Sequence, residues 1–64
     1  MTEKLHSLLQ RLQAYQRDLI LNMASYDGMP AGSDLRQVAE LENVIAAVEA
    51  ILAEELEKGR KPPR

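Results

Sequence analysis

Two runs of apolar residues, each spaced by threes and fours, flank a single stretch that cannot continue a helix, SYDGMPAGSDLRQ at residues 25 to 37. The first run is Leu5, Leu8, Leu9, Leu12, Tyr15, Leu19, Ile20 and Met23, with Lys4, Gln10, Arg11, Gln13, Arg17 and Asp18 mostly opposite. That spacing repeats at the helical period, so it predicts one amphipathic helix of about 24 residues, near 36 Å long. The second run is Leu35, Val38, Leu41, Val44, Ile45, Val48, Ile51, Leu52 and Leu56. It predicts a partner helix of similar length.

The breaking stretch supplies its own punctuation. Asp27 and Gly28 read as a glycine cap ending the first helix, Pro30 prevents continuation, and Gly32, Ser33 and Asp34 lead into the next start. Thr2 is the expected N-cap of the first helix. Asp34 with Gln37 three residues on fits a capping box for the second, and Gly59 before Pro62 and Pro63 fits its stop. The expected architecture is therefore all-α. It is an antiparallel two-helix hairpin over residues 1–59, with a helix at about 2–26, a turn at about 27–33, a helix at about 34–58, and a disordered basic tail at 60–64.

Size makes such a hairpin marginal. A chain of 64 residues buries only about 60% of the surface its unfolded form exposes, and below this size a staple or a partner is the usual remedy. No staple exists, because the sequence has no cysteine and a single histidine, His6. A disulfide framework and a thiolate metal site are excluded, and no metal or other cofactor is expected. No apolar run approaches the roughly 20 residues of a membrane span, and the start MTEKLHSLLQRLQ lacks the pattern of a secretory signal. A soluble, cytoplasmic chain without membrane contact is expected.

Charge divides unevenly between the halves. From Asp34 to Lys58 seven acids (Asp34, Glu40, Glu42, Glu49, Glu54, Glu55, Glu57) stand against Arg36 and Lys58, a balance of minus five. From Thr2 to Tyr26 three bases (Lys4, Arg11, Arg17) stand against Glu3 and Asp18. An acidic body repels phosphate backbones, so nucleic acid is excluded as a partner of the folded part.

The second helix is apolar over more than one facing helix covers. Besides its main stripe it carries Ala39, Ala46, Ala47, Ala50 and Ala53. Either these are exposed helix formers, or they face a further helix, from a second copy in a four-helix bundle or from another protein. Marginal size favours the second reading. The expected interface is Leu41, Val44, Ile45, Val48, Ile51 and Leu52 with Ala39, Ala46 and Ala50, and the expected partner is a second copy or a helical or receiver-domain protein. Glycine-rich phosphate loops, nucleophile elbows and metal-ligand clusters are absent from the sequence. Tyr15 and Tyr26, the only aromatics, read as packing groups with a wet hydroxyl. The expected function is that of a regulatory or adaptor protein acting through an apolar helix face.

Arg17, Gly28, Leu35 and the segment VAELENVI at 38–45 resemble, in their separations, the helical-hairpin aspartyl-phosphate phosphatases that act on sporulation response regulators. That family has an arginine on its first helix, a glycine in the turn and a serine-glutamine-glutamate-leucine-aspartate motif opening its second helix. Glu40 and Leu41 agree with the motif, whereas Val38, Ala39 and Glu42 stand where serine, glutamine and aspartate recur. The resemblance implies that Glu42 and Glu40 would lie near the phosphoryl group of a docked receiver domain. RLQA at 11–14 and AELENVIAAVEAIL at 39–52 are also similar to the two-helix co-chaperones of type III secretion needles, which implies docking on a larger partner.

Overall fold

The computed structural model describes residues 1–60, and 61–64 of the expected tail lie outside the described residues. Two α-helices fold back on each other, α1 at Thr2–Ala24 and α2 at Gly32–Arg60. No strand occurs among the described residues. The all-α hairpin expected from the apolar spacing is the fold observed. The body is thin, only 17 × 14 Å in cross-section.

The seam between the helices follows a repeat of seven. On α1 the half-buried positions run Leu5, Leu9, Leu12, Gln16, Leu19 and Met23, and on α2 the least exposed run Val38, Leu41, Ile45, Val48, Leu52 and Glu55. Alternate steps of three and four residues keep one narrow stripe facing the partner, as in coiled coils. Only Ile45, Val48 and Leu52 are buried, at 4%, 8% and 7% exposure. No residue of α1 is buried. Tyr15 and Ile20, expected on the packed stripe, lie beside it, at 48% and 45% exposure. Gln16 takes the seam position instead, a polar residue that a search for apolar spacing passes over.

Hydrogen bonds cross the seam on both of its sides. The Gln16 amide donates to the Glu42 carboxylate at 2.9 Å and to the Val38 carbonyl at 3.4 Å. On the other side of the seam, the Gln37 amide donates to the Tyr15 hydroxyl at 2.8 Å. With Ala24 and Gly32 ending the two rods at the turn, equal rise along antiparallel helices sets Leu12 near the level of Ile45, Leu9 near Val48 and Leu5 near Leu52. Gln16 then meets the level of Leu41.

The ends are built differently from their sequence signals. Met1, not Thr2, is the N-cap of α1, and its carbonyl accepts from the Leu5 amide at 3.1 Å. At the other end α1 stops at Ala24, short of the expected 26. Its last carbonyls are satisfied by a tightened turn: the Ser25 amide and hydroxyl both donate to Asn22, at 3.2 and 2.6 Å, and the Tyr26 amide to Met23 at 3.3 Å. Such bonds one step shorter than the helical ones replace a left-handed cap. Gly28 accordingly does not adopt the left-handed φ that a glycine cap requires.

The second helix starts earlier than expected, because the Ala31 carbonyl accepts from both the Asp34 amide (3.0 Å) and the Leu35 amide (3.1 Å). Asp34 therefore sits inside the first turn, where its charge complements the helix dipole. The capping box does not form, since Gln37 turns toward Tyr15. Gly59, read as a stop, is helical.

Candidate functional site

Labelling the seven positions a to g, with the seam at a and d, shows what each flank carries. The Tyr15–Gln37 hydrogen bond joins two g positions, so Leu8, Tyr15 and Asn22 of α1 share one broad side with Gln37, Val44, Ile51 and Lys58 of α2. On that side Leu8 is half-buried, while Tyr15, Val44 and Ile51 are 48%, 46% and 47% exposed. Ala47, at the adjoining c position between Val44 and Ile51, continues the strip. The result is an apolar strip shared by both helices. Its outer borders, also at c, are Lys4, Arg11 and Asp18 on α1 and Glu40 and Glu54 on α2.

The opposite broad side is the e side, with His6, Gln13 and Ile20 of α1 and Leu35, Glu42, Glu49 and Leu56 of α2. Four of these seven side chains are polar or charged, and Leu56 stands alone at the far end. Only near the turn do Ile20 and Leu35, 45% and 44% exposed, form an apolar pair there.

These positions divide the expected interface. Ile45, Val48 and Leu52 lie in the hairpin's own seam with half-buried Leu41, so they hold the two helices together. Val44 and Ile51 lie on the exposed strip. Ala39 and Ala46 stand at b, on the flank away from it, and Ala50 faces outward at f; all three are exposed. The alanines thus do not merge with Val44 and Ile51 into one broad face. Leu8 and Tyr15, the α1 half of the strip, were not in the expected interface. The signal that finds them is a remainder: once Leu5, Leu9, Leu12, Gln16, Leu19 and Met23 are assigned to the seam, Leu8 and Tyr15 are left together on one flank.

The two glutamates named by the phosphatase resemblance lie on different sides. Glu42 stands at e with an oxygen engaged by Gln16, whereas Glu40 stands at c and borders the apolar strip. Residues two apart point about 200° apart around a helix. Both are exposed. Arg17, at b, borders the same side as Glu42.

A cleft of about 220 Å³ lies under the turn, lined by Met23, Tyr26, Met29 and Pro30 with Asn22 and Asp34 among its polar walls. Tyr26 and Met29 are 71% and 86% exposed, so its rim is open to water. Among the described residues there is no group of three or more side chains suited to hold a metal ion. No helix among them is long and apolar enough to cross a membrane. No family model, curated protein or solved structure matches this chain.

Proposed function

We propose that the chain is a helical interaction module, adaptor or regulatory in kind, that docks on protein through the strip of Leu8, Tyr15, Val44 and Ile51. The observation that carries this reading is the imbalance between the hairpin's inside and its outside. Three residues are buried, and an equally large set of aliphatic and aromatic side chains stands half in water along one side. Wetting that strip costs free energy in proportion to its apolar area. A covering helix removes the cost, and it also supplies the second layer that a chain of this size lacks. The borders are charged, as the rim of a docking surface is.

A photo-crosslinking amino acid placed at Ile51, and separately at Asn43 on the outward face, tests the reading in the cells that make the protein. Covalent protein adducts from position 51 and none from 43 are expected. Equal yields at the two positions, or none at either, would overturn it.

A further inference from the structure

We infer that the strip is covered by a second copy of this chain, related by a twofold axis parallel to the helices, so that α1 of each hairpin lies on α2 of the other. The inference rests on the docking role proposed for the strip and names its occupant. Three observations carry it.

The first is charge. Between Thr2 and Ala24, three bases and two acids leave α1 at plus one, whereas Asp34 to Lys58 of α2 stands at minus five. Stacking α2 on α2 would align the bordering Glu40 and Glu54 with the same acids of the other copy. Stacking α1 on α2 instead brings Lys4 level with Glu54 of the other copy, and Arg11 between its Glu54 and Glu40. Asp18 meets Glu40, the one like-charged approach. Such rim charges choose orientation more than they add affinity.

The second is shape. A twofold axis along the helices preserves the level of every residue. Leu8 then falls level with Glu49 of the other copy, midway between its Ala47 and Ile51, so a large side chain packs against Ile51 in the space a small one leaves. Every neighbouring pair in the resulting four-helix bundle is one α1 against one antiparallel α2. The dimer thus repeats outside the hairpin the pairing already present within it.

The third is area. The 23 residues of α1 span about 35 Å at 1.5 Å per residue. Over the 17 Å breadth of the hairpin this gives roughly 600 Å² in flat projection, of the same order as the ~800 Å² per partner of a standard specific interface.

Sedimentation equilibrium over a hundredfold concentration range, with single-cysteine cross-linking, decides the matter. A mass of twice the 7.2 kDa chain is expected. Val44→Lys and Ile51→Lys are expected to return the monomer mass, and Ala46→Lys on the other flank to leave the dimer intact. Helicity by circular dichroism checks that the lysine variants remain folded. Because the chain has no cysteine, Leu8→Cys and Ala47→Cys can be mixed and oxidised: the mixture should cross-link while each variant alone does not. Monomers at every concentration, or cross-linking of Leu8→Cys to itself, would overturn the inference. A monomer whose position 51 still forms photo-adducts with another protein would remove the second copy yet leave the docking surface standing. Loss of both would remove the two together.

Discussion

Gln16 occupies a seam position that a leucine would fill with apolar surface, and its amide is instead held by Glu42 and the Val38 carbonyl. Polar residues at single seam positions lower stability but select register. Gln16→Leu is therefore expected to raise the unfolding free energy by about 1 kcal/mol, the added burial outweighing a net hydrogen-bond loss of about 0.5–1.5 kcal/mol. Urea denaturation measures the gain. Doubled or broadened amide resonances near Leu41 would reveal the accompanying loss of a single register. Ile45→Ala acts the other way. Truncating a buried aliphatic side chain costs about 2–5 kcal/mol, comparable with the roughly 3–5 kcal/mol a core of this size supplies, so helicity at room temperature should collapse. At Gly28 the backbone is not left-handed and nothing lies within 4 Å of an added Cβ. Gly28→Ala should consequently stabilise by about 0.4–1 kcal/mol through the unfolded chain, whereas a glycine cap would make the same change destabilising.

Both helices were legible because their apolar spacing is long and regular, and the turn because Pro30 and its neighbours admit no helix. The ends were not legible in detail. Whether a helix closes on Gly28 or on a tightened turn at Ser25 depends on one backbone torsion, which a glycine permits and does not compel. At the start of α2 the Asp34–Gln37 spacing suggested a box, but the Tyr15 hydroxyl across the seam was the better partner for Gln37. That competitor is remote in sequence, and local pattern cannot see it. The candidate site was half legible for a related reason. Val44 and Ile51 were named from α2 alone, while their companions Leu8 and Tyr15 emerge only when the second helix fixes which way α1 faces. Gly32 offers a test at this scale: it lies in the first turn of α2, away from left-handed φ and with open space around its Cβ position. Gly32→Ala should raise the stability of the helix start by about 0.5–1 kcal/mol, read from the urea midpoint.

At the scale of the whole molecule, the proposed pairing would couple association to stability, because the face that joins two hairpins would also supply the layer each lacks. The midpoint of thermal unfolding should therefore climb with protein concentration, as mass action requires, and Ile51→Lys should flatten that dependence. The unequal helices carry a separate consequence. With 29 residues against 23, α2 runs on past the start of α1 from about Leu56, a turn and a half of helix with no opposing rod. Its Leu56 is 53% exposed. Backbone amides there should surrender their protons to deuterated solvent first, and protection should deepen residue by residue toward Ile45, so that the hairpin unzips from its open end while the turn is still closed.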